Sequence, residues 1–320
     1  MNLIPTKILV TGGAGNIGSA LVDKLIQNPH NFVVIVDNLS TGNLSKLPSS
    51  KQTNWKFIKG DVNHLNDLSS IMLSYHFDYV FHLAAVVGVI RTQENPIDVL
   101  DDIEGIKNIL NLSKNTSVKH VYFSSSSEVY GEPVELPQNE HLTPLNSRVP
   151  YAVVKNLGEC FFRSYWQVYH LPYTIFRFFN TYGPNQSVDF VVARFLSAAL
   201  KNEDITIYGD GLQTRTFTYV DDTINVCTKI FEDKLLINDV INIGNDALMT
   251  IKDLAELTIK IAKSNSKIIY LPPLKEGDMT RRQPDNTKMR QILNKKLISI
   301  DEGIKLMMND ERFINLIGLK

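Results

Sequence analysis

The stretch that constrains this chain most is KILVTGGAGNIGSALVDKLIQ, residues 7–27. A β-branched run ends in Gly12, Gly15 and Gly18, spaced G-x-x-G-x-x-G, and a helical pattern opens inside the motif. Such glycines let backbone approach a diphosphate, whose charge is favoured by a helix N-terminus. Alone they also fit a tight strand–helix turn, so the context decides. A second apolar run, FVVIV (32–36), leads into Asp37, nineteen residues past Gly18. An acid at that distance meets the ribose hydroxyls of a dinucleotide. A carboxylate there repels a 2′-phosphate, which predicts NAD rather than NADP. Asp61 and Val62, after a third run WKFIK (55–59), would lie by the adenine; a simple turn explains that aspartate equally well.

Further β-branched runs follow at YVFHL (79–83), KHVYF (119–123) and YTIFRF (173–178). Helical patterns lie between several of them. Val99, Ile103, Ile106 and Leu110 recur at four, three and four residues, one helix face. Strands alternating with helices predict βαβ units and an α/β fold: a Rossmann, doubly wound parallel sheet. After about residue 180 the chain changes to turn signals such as YGPNQ and YGDGLQ and to shorter elements. We read residues 1–180 as the NAD-binding domain and 181–320 as a smaller region over the sheet's carboxyl edge, with some interleaving.

Hydrophobic residues make up 43% of the 320, enough for a real core, and the net charge of −1 comes without a block of like charges. Nucleic-acid and membrane-surface partners both need concentrated Lys and Arg, so neither is expected. The start, MNLIPTKILVTGG, reads as neither a leader nor a membrane span. Cys160 and Cys227, the two cysteines, have no metal spacing and no CxxC pattern. They predict no metal site and a reducing, cytoplasmic setting.

Two stretches carry chemistry. In VPYAVVKNLGECFF, Pro150 suits a helix start, and Tyr151 and Lys155, four apart, share a helix face. A phenol titrates near pH ~10 and is a poor base at neutral pH. A nearby ammonium and a positively charged nicotinamide would lower that value. The other stretch is FSSSSEVYG (123–131), where a buried run ends in four hydroxyls and a carboxylate. Strand carboxyl ends face the cofactor crevice, so these hydroxyls would line it; solvated loop serines are the plain alternative.

Together these residues resemble the extended short-chain dehydrogenase/reductases, the NAD-dependent nucleotide-sugar epimerase/dehydratase group. TGGAGNIG, VDN, GDV, HLAA (82–85), SSSSEVYG, YAVVK, RFFNTYGPNQ (177–186), IYGDGLQTRTFTYVDD (207–222) and RRQPD (281–285) carry it in order along nearly the whole chain. The resemblance implies that residues 181–320 are an α/β substrate domain, and it implies a Ser126–Tyr151–Lys155 site that removes hydride from a sugar carbon, usually C4. Ser126 would bond the sugar oxygen, and Lys155 would hold the ribose and tune Tyr151. It implies further NAD contacts from Asn16, Ile17, Asn38, Leu83, Ala84, Ala85 and Ser124. For the substrate it implies Asn180, Arg215 and Arg282 near the diphosphate, with Arg281 an open alternative to Arg282. Guanidinium suits that role because it donates bidentately to phosphate. Tyr208 would pack near the base, or simply in the core.

Sugar-dehydrating relatives resemble T-D-E where this chain has Ser126-Ser127-Glu128. A serine does not replace an acid that protonates a leaving hydroxyl, which argues against 4,6-dehydration. The Ser-Glu pair resembles UDP-glucuronate decarboxylases and some 4-epimerases, while YAVVKN differs from the usual decarboxylase Y-D-E-G-K-R. Glu128 would bind a substrate hydroxyl or cap the turn. One departure stands out: Asp102 occupies a position where asparagine is usual, and Ile106 one where threonine is usual. The expectation is a UDP-sugar 4-epimerase working through a transient 4-keto sugar. A UDP-glucuronate decarboxylase or a nucleotide-sugar C4 dehydrogenase/4,6-dehydratase is the nearest alternative, and a non-catalytic NAD-binding regulator the alternative of another class. In the family the helices at 98–114 and 150–169 form a four-helix bundle across a homodimer; packing within one chain would give the same apolar pattern.

Overall fold

The computed structural model describes residues 5–273 and 281–319. Residues 1–4, part of the stretch read as carrying no leader, lie outside them. The apolar runs become strands β1 Thr6–Thr11, β2 Asn31–Asp37, β3 Trp55–Lys59, β4 Tyr79–His82, β5 His120–Ser126 and β6 Tyr173–Phe178. Helices α1 Asn16–Leu25, α2 Leu65–Tyr75, α3 Val89–Glu94, α4 Pro96–Asn115 and α5 Pro150–Tyr169 separate them. Proline at the first turn of α4 and of α5 forgoes an N–H that would have no helical partner there.

The later chain adds β7 Thr181–Tyr182, α6 Val191–Leu200, β8 Ile205–Tyr208, β9 Thr214–Thr216, β10 Thr218–Tyr219, α7 Val220–Glu232 and β11 Asp239–Ile243. Then come β12 Leu248–Thr250, α8 Ile251–Ala262, β13 Ile268–Leu271, α9 Thr287–Leu293, α10 Ile300–Met308 and α11 Glu311–Leu316.

The central sheet has seven strands in the order β11-β6-β5-β4-β1-β2-β3, and every pairing is parallel. Alternation along β1 explains why both faces are covered. Ile8 and Val10 join a core with α1, α6, α7 and α8, while Leu9 joins a second core with α2, α4 and α5. The order reverses between β1 and β4, and a crevice opens at the carboxyl ends of strands at such a switch point. Three small pairs, β10 with β7, β8 with β13 and β9 with β12, stand outside the main sheet.

Two features differ from the sequence reading. β11, beyond residue 180, joins the sheet beside β6; its run DVINI is short and carries an asparagine, which hides it. β5 continues through Ser126, so three of the four serines belong to the strand. Strand alternation separates their roles. The Ser125 hydroxyl donates to Glu159 Oε1 at 2.6 Å, within a buried network behind the sheet. Arg177, 1% exposed, grips the same carboxylate through Nε (2.8 Å) and Nη2 (2.7 Å). Burial would raise the Glu159 carboxyl, but Arg177 and Ser125 outweigh it and hold it below its usual range. Removing one partner of such a pair strands a buried charge, which costs about 3–5 kcal/mol. The network fixes the end of β5, where the remaining serines are presented.

Candidate active site

A cavity of about 730 Å³ opens at the carboxyl ends of the strands. The three spaced glycines make one wall. Gly12 has φ +69, and a Cβ there would lie 2.7 Å from Ala84 N. A Cβ on Gly18 would lie 2.1 Å from Gly12 O. Only glycine lets the loop and α1 close this tightly, and the cradle has room and N–H donors for a diphosphate. Asp37, at the end of β2, accepts from Ala14 N at 3.0 Å and Leu39 N at 2.8 Å. Its carboxylate still has lone pairs for ribose hydroxyls. Asp61 accepts from Asn63 N (2.9 Å) and Asn38 Nδ2 (3.0 Å), so it shapes a turn and also lines the cavity beside Val62. Thr11 Oγ1 accepts from Leu83 N and Ala84 N, setting the next strand end against the glycines. Asn16, Ile17 and Ala85 lie on the same wall. This donor set and glycine cradle fit a dinucleotide.

Ser124, Ser126, Glu128 and Tyr151 line the same cavity. Ser126 is the N-cap of a short turn, Ser127–Tyr130, accepting from Glu128 N at 3.2 Å. The Ser126 hydroxyl also lies against the Tyr151 phenol. Glu128 reaches Arg282 Nη2 at 3.4 Å. Lys155 follows Tyr151 one turn later on α5 and is buried. Its Nζ donates to Ser124 O at 2.7 Å and lies 5.7 Å from the Tyr151 ring centroid.

The electrostatics correct one expectation. Tyr151 is held above, not below, its ordinary value, first by burial and then by the Glu128 charge, with Ser126 pulling the other way. Burial draws Lys155 down to about 8, opposed by Asp102. Spacing predicts that tyrosine and lysine share a helix face. It does not predict that the ammonium is engaged by Ser124 O or that a carboxylate lies by the phenol. Burial thus favours the protonated phenol, and forming the phenolate needs positive charge beside it, from the Lys155 ammonium and a bound nicotinamide.

Farther along the cavity lie Asn180, Tyr208, Arg215 and Arg282. Asn180 Nδ2 donates to Thr216 O at 3.0 Å, and Arg215 Nη1 to Thr214 O at 2.8 Å. Of the two adjacent arginines, Arg282 is buried on the wall with its Nε unpaired, whereas Arg281 is exposed and bridges β9 by its backbone. Sequence reasoning missed Arg194. Its guanidinium lies 5.8 Å from the Tyr208 ring centroid, and its Nε is buried without a partner. The available signal was one charge inside the apolar helix VVARFLSAAL.

Residues 8–244 match the NAD dependent epimerase/dehydratase family. The chain belongs to that family. A UDP-N-acetyl-alpha-D-glucosaminuronate decarboxylase of Bacillus cytotoxicus is 34% identical over 93% of this chain and 95% of its own length. A putative UDP-glucose 4-epimerase of Methanocaldococcus jannaschii is 34% identical over 94% of this chain and 97% of its own. The crystal structure of the Thermotoga maritima UDP-glucose 4-epimerase with UDP-glucose superposes with a TM-score of 0.89. It is 33% identical, covering 97% of this chain and 98% of that one. As a member of this family of enzymes, the protein uses NAD as its cofactor, and the fold and glycine cradle agree. No helix among the described residues is long and apolar enough to cross a membrane.

Proposed function

We propose that the protein is a UDP-sugar 4-epimerase working through a transient 4-keto sugar. The observation that supports it most is the placing of Ser126 against Tyr151 in the cavity that the glycine cradle also lines. NAD, when bound in the glycine cradle, would supply the hydride acceptor and donor for C4. Ser126 orients the sugar oxygen. Tyr151, as phenolate, takes the O4 proton and gives it back after the keto sugar turns over. Lys155 holds the ribose and favours the phenolate. Arg215 and Arg282 bind the diphosphate, helped by Asn180, and Tyr208 packs by the base. Gly12, Gly15, Gly18 and Asp37 hold the dinucleotide. Residues to about 180 form its domain and the later chain the substrate domain, with interleaving through α7 and β11. Exposed Leu100, Val153, Leu157 and Trp166 on α4 and α5 support a homodimer through these helices.

A second reading, decarboxylation of a UDP-uronate, is favoured by the Glu128–Arg282 pair near Tyr151, since an arginine there suits a substrate carboxylate. Proton NMR of the NAD-loaded enzyme with UDP-glucose, UDP-N-acetylglucosamine, UDP-glucuronate and GDP-sugars separates the two. A C4-inverted UDP-sugar without net NADH supports the epimerase, whereas a pentose from the glucuronate replaces it with the decarboxylase.

A further inference from the structure

Asp102 is a carboxylate on the cavity wall near the tyrosine–lysine pair. Helices α4 and α5 both link adjacent parallel strands on the same face of the sheet, so they run in the same direction. Their register is fixed at two points. A Cβ on Gly158 would lie 3.0 Å from Ile106 Cδ1, and the Tyr165 hydroxyl donates to Asn111 Oδ1 at 2.8 Å. Those pairs are offset by 52 and 54 residues, and Lys155 is 53 past Asp102. One turn toward the N-terminus from the Gly158–Ile106 contact, Asp102 therefore faces Lys155. Its Oδ2 is held by Val86 N at 2.7 Å, and the neighbouring turn of α4 is pinned by Gly105 N to Asn63 Oδ1 at 3.0 Å. The carboxylate is thus fixed beside a buried lysine with few other charges.

We propose that Asp102 is a positioning residue that keeps the Lys155 ammonium charged near the Tyr151 phenol. The proposal rests on the reading of Tyr151 as the base. The other groups around the pair are few. His82, at the end of β4, is buried, bonded to Thr11 Oγ1 at 2.9 Å and pushed down to about 3, so it stays neutral. Asp61, after β3, acts on Asp102, while Glu128 and Arg282 act on Tyr151. Burial raises the Asp102 carboxyl, and Val86 N and then Lys155 restrain it. The carboxylate raises both Lys155 and Tyr151. Removing its charge therefore lowers both: the phenolate forms at lower pH and the ammonium is lost at lower pH. An asparagine here would still accept from Val86 N, so a purely structural role predicts no change in titration.

The test is Asp102→Asn in the NAD-loaded enzyme, read by ¹³Cε NMR of labelled lysine, with Lys155 assigned by its absence in Lys155→Arg. We expect Lys155 to titrate about one pH unit lower, and both limbs of the pH–rate profile to move toward acid. Asp102→Glu, which restores the charge, should hold Lys155 near its original value. An unchanged Lys155 titration in Asp102→Asn, or no recovery in Asp102→Glu, overturns the proposal. A shifted lysine in an enzyme that converts none of the sugars supports the proposal and overturns the reaction.

Discussion

At the glycine-loop end of the cavity the wall is mainly backbone: Gly12, Gly15 and Gly18, the first turn of α1, and Leu83 and Ala84 tied to Thr11. At the arginine end it is long side chains from separate places: Arg194 on α6, Tyr208 on β8, Arg215 on β9 and Arg282 beyond β13. A backbone site tolerates one ligand shape, because its geometry comes from strands that must pair for the sheet to form. A side-chain site can be retuned residue by residue without touching the sheet. On the proposed reading, the first end would specify the cofactor and the second would leave room for many sugars.

That contrast can be broken by mutation. The largest effect is expected where the two ends meet. Tyr151→Phe should lower turnover by about 10²–10⁴-fold, the scale of a general base, while bound NAD, measured after denaturation, stays at the wild-type level. Surviving turnover would remove Tyr151 from the mechanism. Next is the backbone end. Gly18→Val puts a Cβ into Gly12 O and should empty the protein of NAD, with the melting temperature showing whether the fold persists. At the side-chain end, Arg282→Ala should raise KM for the nucleotide sugar about 10–100-fold, the worth of a lost charged hydrogen bond, with NAD content unchanged. An equal loss of NAD would mean that the two ends are not separable.

The smallest effect is on stability. His82 and His120 are buried and pushed down to about 3 and about 4. An unfolded histidine titrates near ~6.5. Below that pH the unfolded chain binds protons that the folded one refuses, so stability falls progressively toward pH 4 and then 3. Melting temperatures between pH 7 and 4 check the sign. His120→Gln should flatten part of the slope without altering either end of the cavity.

Legibility followed the same divide. The glycine loop, Asp37 and the helix from Pro150 to Tyr169 are each contiguous, and their spacing already encodes their geometry. The choice between Arg281 and Arg282 was not legible, because it depends on which side of a short bridged segment faces the cavity. Arg194 escaped notice because a lone charge on an apolar helix is ordinary until a neighbouring ring and an unpaired Nε give it a place. The electrostatics of Tyr151 differ from the sequence expectation for a similar reason: four-residue spacing says nothing of how deeply the phenol is buried, nor of Glu128, which arrives from another element. β11 was hidden because a five-residue edge strand resembles a loop until β6 is there to pair with it.

The central claim is that hydride leaves C4 and returns to the opposite face of the same carbon, with no other bond to a sugar carbon broken. It is tested most directly by giving the NAD-loaded enzyme a UDP-sugar deuterated at C4 in ordinary water and following the product by NMR. The account predicts a C4-inverted sugar that keeps its deuterium, with no net NADH. Deuterium lost to solvent, a pentose product from UDP-glucuronate, or stoichiometric NADH would contradict it.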